Sequence, residues 1–334
     1  MCDVLKILNF EKRKLLSNKS FLTLIICVIF ITICISIFSF FIFETNVVHD
    51  VTDLQKDNIL LSYKEEIVKY KELLESPLLK EVEKKIYLDR INKYEFFIKN
   101  DIIEYECIEF IPNSLFKYSN NLGVSFMLYF ITILFIPLII YTFLISIYVF
   151  SDVANGMIKN IVASGISKKS IYKGKLLFQI TLNLIVVLAV FIIVLLIGIL
   201  NIDAKLILKI NNTYYLVNAL LFLVLQIIGL FFILCLCSIF FNFIISIFKN
   251  SLYSTTSILI LLCFTFLCSL MIQKYIDINS LEGIYSVDQF IPILNIKYYF
   301  EYIQPMSFLI ILIHIVISLI VIKINEIIFE KCFS

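Results

Sequence analysis

Six long apolar segments without a single charged side chain are the feature that most restricts how this chain can fold. They occupy residues 21–43, 123–150, 176–200, 215–240, 252–272 and 306–322. All 28 Lys and Arg residues and all 26 Asp and Glu residues lie between these segments. The segments match the length of roughly 20 residues that an apolar helix needs to cross a bilayer. We therefore predict an all-α integral membrane protein with six transmembrane helices.

The composition excludes two other classes of protein. Hydrophobic residues make up 61% of the 334 residues and charged residues only 16%, whereas a soluble domain carries roughly 25% charged residues. A water-soluble enzyme of this size would lack the polar surface that it needs, and a disordered chain would have low hydrophobicity. The net charge of +2 gives no reason to expect a nucleic-acid partner, so the lipid bilayer is the predicted surrounding.

The basic residues predict which ends of the helices face the cytoplasm, because short cytoplasmic loops retain Lys and Arg. With the amino terminus inside, the inner segments carry 13 basic residues and the short outer segments carry four. Both termini are therefore predicted to be cytoplasmic, in a multi-pass protein of the cell (cytoplasmic) membrane. The predicted inner parts are an amphipathic segment at 1–20, a loop at 151–175 and a tail at 323–334. The main outer parts are 44–122 and 273–305.

Residues 44–122 contain two stripes of apolar and aromatic residues at helical spacing. The first stripe is Leu60, Tyr63, Ile67, Tyr70 and Leu74, and the second is Tyr87, Ile91, Tyr94 and Ile98. Ser76-Pro77 separates them, and Pro is favoured at the start of a helix. We predict an extracytoplasmic helical hairpin between spans 1 and 2. Its stripes either bury against each other or line a ligand groove.

No motif for catalysis is found, so the chain is predicted not to be an enzyme. Gly174-Lys175 resembles the end of a nucleotide-binding loop, but Lys169 stands where that loop requires Gly. Leu176 stands where it requires the Ser or Thr that holds Mg²⁺. We expect no catalytic residue, no metal ligand and no cofactor-binding residue in this chain.

Three polar residues inside the predicted spans are candidates for a functional role: Asn183, Gln226 and His314. An intramembrane ionisable group such as a histidine is a functional candidate by default. The other interpretation is that the three side chains form hydrogen bonds between helices. We therefore predict either interhelical hydrogen bonds or positions along a transport pathway.

The segment 151–175 predicts more than a plain loop. Asp152 is a good helix N-cap, and Gly165 is a plausible end of a helix. Between them Ile158, Ile161 and Val162 form a narrow apolar face. Lys159 and Asn160 lie opposite that face, so the segment predicts a short amphipathic helix, with a basic run leading into span 3.

This segment resembles the cytoplasmic loop of permease subunits of type-two ABC exporters, the group that includes the bacitracin and lantibiotic-immunity permeases. Asp152 and Gly156 stand at the family's Glu and Gly positions, and Lys175 stands at its closing Lys. The departures are Asp152 for Glu, Met157 for Thr and Lys168 for Arg. The residues assigned by this resemblance to docking of an ATPase on a coupling helix are Asp152, Asn155, Gly156, Ile158, Lys159, Ile161, Val162, Gly165, Lys168 and Lys175.

The resemblance implies a transmembrane permease subunit that exports a peptide antibiotic, a lipid or a drug-like molecule. Its implied partners are an ABC ATP-binding subunit and a second permease copy, in a homodimer or heterodimer. ATP and Mg²⁺ would bind to the partner subunit and no cofactor to this chain. Residues 273–305 would correspond to outer re-entrant helices.

An alternative function belongs to a different class of protein. The chain could be a polytopic membrane sensor or scaffold, whose extracytoplasmic hairpin binds a ligand and whose inner loop binds a signalling partner. Co-purification of an ATPase with Walker motifs would discriminate the permease from the sensor.

Overall fold

The computed structural model describes a chain of nine helices and four strands over part of its length. The described residues are 2–17, 52–76, 79–103, 107–111, 114–117, 137–152, 158–198, 205–210, 213–248, 252–260 and 307–332, with the single positions Lys19, Ile26, Phe30 and Cys34. The predictions for 273–305, for most of 21–43, and for parts of 123–150 and 252–272 lie outside these residues, as do Asn155 and Gly156.

Two pairs of consecutive strands interrupt the series of helices along the chain. The helices are α1 (Cys2–Ser17), α2 (Asp53–Leu74), α3 (Glu81–Asn100), α4 (Pro137–Asp152), α5 (Ile158–Ala163), α6 (Lys168–Gly198), α7 (Ala219–Phe248), α8 (252–260) and α9 (Ser307–Cys332). The strands are β1 (Cys107–Ile111), β2 (Ser114–Lys117), β3 (Lys205–Ile210) and β4 (Thr213–Asn218).

Three of these helices are long and apolar enough to cross a bilayer. The stretches that meet this criterion are Lys168–Ile193, Leu223–Phe248 and Leu312–Lys331. Apolar side chains also cover the outside of α6, where Ile185, Ile192 and Leu196 are each more than half exposed. An outer surface made of apolar side chains is suited to lipid rather than water. The chain is therefore a mostly helical membrane protein.

The long helices pack around one apolar core. α6, α7 and α9 contact one another, and α4 adds Tyr141, Ile145 and Val149 to the same buried cluster. Phe143 of α4 meets Phe241 of α7 edge to face, with ring centroids 5.8 Å apart. This core holds the ends of α4 and α6 side by side, which is where the candidate site forms.

A four-stranded antiparallel sheet departs from the all-α prediction. The order is β1-β2-β3-β4, so residues between the first two spans pair with residues between the third and fourth. β3 and β4 are rich in aliphatic and aromatic side chains, which favour strands. Asn211-Asn212 separates them in the sequence. Turn residues between two such runs are the signal of a β-hairpin. This signal is hard to recognise here because the segments on both sides are also strongly apolar.

The sheet also changes the bounds of the predicted spans. Residues 215–218 of the predicted span 215–240 belong to β4, and α7 extends from Ala219 to Phe248 instead. Asn218 caps this helix, because its Oδ1 accepts a hydrogen bond from the backbone N–H of Leu220 at 2.8 Å. α6 begins at Lys168 rather than 176, and α9 continues through the predicted tail to Cys332.

The helical hairpin and the sheet form one module, which we call the hairpin–sheet module (α2, α3 and β1–β4). α2 and α3 pack through stacked tyrosines, Tyr63 with Tyr94 at 4.6 Å and Tyr70 with Tyr87 at 5.4 Å between centroids. Ile207 of β3 is fully buried in the same cluster. The stripes therefore bury mostly against each other, which is the first of the two arrangements that their spacing allows.

Candidate functional site

Three helices meet at a buried group of charges, which we call the ion cluster (Glu11, Lys14, Asp152 and Lys175). Lys175 of α6 is fully buried and donates hydrogen bonds to Glu11 Oε1 of α1 and to Asp152 Oδ2 of α4, the latter at 2.8 Å. Its third donor bonds the Val149 carbonyl at 2.7 Å. One ammonium group thus has all of its donors satisfied by two other helices.

Lys14 completes the cluster from the more exposed side. Its Nζ lies 2.8 Å from Asp152 Oδ1 and 3.3 Å from Ser151 Oγ. The hydroxyl of Tyr148 on α4 also donates a hydrogen bond to the Lys14 carbonyl at 2.9 Å. Two lysines therefore share two carboxylates, and the cluster has no net charge when all four groups are ionised.

The cluster perturbs the ionisation of Asp152. Burial disfavours its charged form, but Lys175 and Lys14 more than offset that penalty, so the pKa of Asp152 lies below its usual value. Asp152 is therefore a carboxylate at neutral pH. It lies within the last described turn of α4, whereas the sequence predicted it as the cap of a new helix.

A glycine allows α1 to approach α6 closely beside the cluster. A Cβ atom added at Gly174 would lie only 2.7 Å from the Ile7 Cβ and 3.3 Å from the Val4 carbonyl. Two carbon atoms cannot approach so closely, so a larger residue would push α1 away. Gly174 therefore serves helix packing, and the resemblance of Gly174-Lys175 to a nucleotide-binding loop has no counterpart in the geometry.

The predicted short amphipathic helix is present as the six-residue helix α5, but its apolar face points inward. Ile158 is fully buried in the chain's own core, and Ile161 and Val162 are partly buried against it. Lys159 and Asn160 are exposed. A partner that docks on α5 would therefore meet its polar face rather than the predicted apolar one.

The end of α5 carries the backbone geometry that the sequence predicts. Gly165 has a positive φ of 86°, and its N–H bonds the Val162 carbonyl at 2.9 Å. Positive φ favours glycine. A surface cavity of about 370 Å³ lies between α1 and α5, and it is lined by Lys6, Ile7, Phe10, Asn160, Ile161 and Ser164, among others.

The basic run at the start of α6 binds the end of α9. Lys168 donates to the Glu330 carbonyl at 3.0 Å, and Lys169 pairs with the Glu330 carboxylate at 3.0 Å. Lys173 pairs with Glu326 at 3.4 Å. Lys168 is therefore engaged within the chain, although the resemblance assigned it to the ATPase.

The polar face of α6 continues into the bundle beyond the ion cluster, at steps of four residues. Gln179 donates to Ser146 of α4 and accepts from Asn242 Nδ2 of α7 at 2.7 Å. Asn183 donates to Ser238 Oγ of α7 at 2.8 Å. We call these contacts the polar ladder, and Asn183 thus forms an interhelical hydrogen bond.

Gln226 and His314 are the other two polar candidates, and both are buried in the bundle. The amide atoms of Gln226 form no hydrogen bond in the part of the chain that the structure describes. Ser318, one turn after His314, donates to the His314 carbonyl at 2.7 Å. Neither residue lies among the contacts that join the ion cluster.

Sequence reasoning missed the partners of the residues that it singled out. Glu11 and Lys14 lie on the inward face of α1, and Asn242 lies deep in the bundle. One signal was available, because Lys175, Gln179 and Asn183 are spaced by four and therefore share one helix face.

Comparison of the chain with models of protein families, with curated proteins and with solved structures found no match.

Proposed function

We propose that this chain is the membrane-spanning permease subunit of an ABC exporter, driven by ATP hydrolysis on a separate subunit. The observation that carries the proposal is the position of α5. This short helix lies between the apolar helices α4 and α6, at the end of the bundle where the ion cluster ties both helices to α1. A partner pressing on α5 would act on two membrane helices at once.

In the proposed mechanism, side-chain contacts transmit a displacement of α5 to the neighbouring helices. Ile158 seats α5 in the core, so a displacement of α5 moves the ends of α4 and α6 rather than a loose loop. Lys175 and Asp152 hold those ends at a fixed separation. The polar ladder then joins α6 to α4 and α7 deeper in the bundle, so a tilt of α6 would be passed to its neighbours.

The partners and the topology belong to the same proposal. The end of the bundle with α1 and α5 is the cytoplasmic end, and the hairpin–sheet module at the other end is extracytoplasmic. ATP and Mg²⁺ bind to the ATPase subunit, and a second permease copy completes the pathway. The substrate class is a peptide antibiotic, a lipid or a drug-like molecule.

Co-purification from native membranes tests the proposal. The tagged chain should retain an ATPase with Walker motifs. The double variant Lys159→Glu/Asn160→Asp should lose it, because both side chains are exposed on α5 and surface substitutions rarely disturb folding. The matched control Lys84→Glu changes an exposed lysine of α3 and should retain the ATPase.

Two results would contradict the proposal. One is the absence of any ATPase from the wild-type complex, above all if a signalling protein is captured instead, as the sensor alternative expects. The other is equal recovery of the ATPase with the α5 variant and with the control, because docking would then not involve α5.

A further inference from the structure

One face of α1 remains uncovered although the opposite face is tightly bound. The inward face carries Ile7 and Glu11, both buried. The outward face carries Leu5 and Leu16, which are 52% and 59% exposed. On a helical wheel these two leucines lie within about 20° of each other, so they form one apolar stripe.

Basic side chains border this stripe. Lys12 stands four residues before Leu16 in the sequence, so it lies beside the leucines on the same side of the helix. Arg13 is the next residue, and both basic side chains are exposed. Among the described residues neither forms a hydrogen bond or an ion pair. The acidic residues of α1 lie elsewhere, because Glu11 points inward and Asp3 pairs with Lys6 at 3.5 Å. The outward face therefore combines uncovered apolar area with uncompensated positive charge.

The contacts of the inward face fix the position of α1 relative to α4 and α6. Ile7 packs against Gly174, directly before the charge-free segment of α6 begins. Lys14 contacts Tyr148 and Asp152, where the apolar helix α4 ends. α1 therefore lies across the ends of the apolar helices α4 and α6, close to the point where the charge-free segment of α6 begins.

We propose that the outward face of α1 binds anionic phospholipid at the bilayer surface. Leu5 and Leu16 dip into the boundary between headgroups and acyl chains, and Lys12 and Arg13 bind lipid phosphates. Apolar residues on one side and Lys or Arg beside them are the composition of helices that lie in the interface plane. Basic residues at this level attract anionic lipids. The inference rests on the membrane character of the chain and not on the proposed transport function.

The absence of tryptophan from the chain allows a direct test in the full-length protein. Leu16→Trp places one fluorophore on the outward face. Leu54→Trp on the exposed side of α2 gives a reference in water, and Ile185→Trp on the outside of α6 gives a reference in lipid. The three variants are reconstituted into phosphatidylcholine vesicles that contain either brominated phosphatidylglycerol or brominated phosphatidylcholine.

The expected result is quenching of Leu16→Trp by brominated lipid, with the anionic lipid the stronger quencher. The preference for anionic lipid should fall by roughly fivefold for each basic side chain removed, so Lys12→Gln/Arg13→Gln should abolish most of it. Lys84→Gln/Lys85→Gln on α3 should leave the preference unchanged.

Three outcomes would overturn the proposal. The first is quenching of Leu16→Trp no stronger than that of Leu54→Trp. The second is a preference for anionic lipid that survives in Lys12→Gln/Arg13→Gln. The third is shielding of Leu16→Trp only when a soluble partner protein is added, which would assign this face to protein docking instead.

Discussion

Lys175 Nζ near the start of α6 lies 2.8 Å from Asp152 Oδ2 on the apolar helix α4, so the two side chains neutralise each other's charge. The same ammonium group also binds Glu11 of α1. The separation of α4 and α6 and the position of α1 therefore depend on one buried side chain. Because buried charges are costly when unpaired, this contact makes the arrangement sensitive to single substitutions.

Replacing Lys175 by Met should strongly destabilise the protein. The substitution leaves buried Glu11 with only the more distant Lys14, 3.8 Å away, and leaves Asp152 with Lys14 alone. Breaking a buried pair costs about 3–5 kcal/mol. Thermal unfolding in detergent measures the effect. Lys169→Met is the matched control on the same helix, because its pair with Glu330 is half exposed and should be worth at most about 1 kcal/mol. Equal losses in the two variants would contradict the structural role of Lys175.

Acidification should remove the contribution of Asp152 to stability. Its pKa in the folded protein lies below the ordinary value of 3.8, so the unfolded chain takes up the proton first as the pH falls. The stabilisation of the folded protein by ionised Asp152 is therefore fully present above pH 3.8. It is lost as the pH falls through the lower pKa that Asp152 has in the folded protein. The difference in unfolding temperature between wild type and Asp152→Asn should shrink over that range. A difference that grows on acidification would refute the assignment.

Gly174→Ala should loosen α1 from α6. The added methyl group would meet the Ile7 Cβ at 2.7 Å, and overpacking of this kind costs about 1–3 kcal/mol. Limited proteolysis at α1 in detergent measures the loosening. Thr181→Ala, on the exposed side of α6, should leave cleavage at the wild-type rate. If the two variants are cleaved equally slowly, the close approach is not required.

Ile207→Asp should separate the two chain segments that form the sheet. Ile207 of β3 is fully buried against the helical hairpin, and an unpaired buried charge costs several kcal/mol. Cleavage of 107–117 and 205–218 by protease should rise together. Lys205→Asp, an exposed position of the same strand, serves as control, and unchanged cleavage of 107–117 in Ile207→Asp would argue against the pairing.

The two ends of the bundle should be accessible from opposite sides of the membrane. In a background without the nine native cysteines, Leu54→Cys on α2 should react with an impermeant thiol reagent on intact cells. Lys159→Cys on α5 should react only after permeabilisation. Both side chains are exposed, so burial does not limit labelling. Labelling of both introduced cysteines on intact cells would contradict the proposed topology.

The sequence predicts the helices well where charge or periodicity marks them. The charge-free segments mark α6, α7 and α9, and the tyrosine stripes mark α2 and α3. The sheet is not predicted because β3 and β4 lie between the apolar helices α6 and α7. Hydropathy alone does not distinguish these strands from the helices on either side. Tyr215 and Leu216 look like the start of a span, whereas Asn218 marks the true boundary.

The candidate site is less accessible to sequence reasoning. Asp152 and Lys175 stand out by their positions at the ends of two apolar segments. Their partner Glu11 lies more than a hundred residues earlier, and no local pattern links it to them. The sequence places Ile158 and Lys159 on opposite faces of α5, but it does not show which face packs against the rest of the chain. In the structure Ile158 is buried and Lys159 is exposed.

The antiparallel pairing of β2 with β3 also determines when the protein can mature during its synthesis. β2 ends at Lys117 and β3 begins at Lys205, and the ribosome must make both α4 and α6 in the interval. Until then β2 has an open hydrogen-bonding edge, the kind of edge that attracts other strands. A nascent chain stalled before residue 218 would thus be a target for chaperones or quality-control proteases, although its amino-terminal helices are already complete.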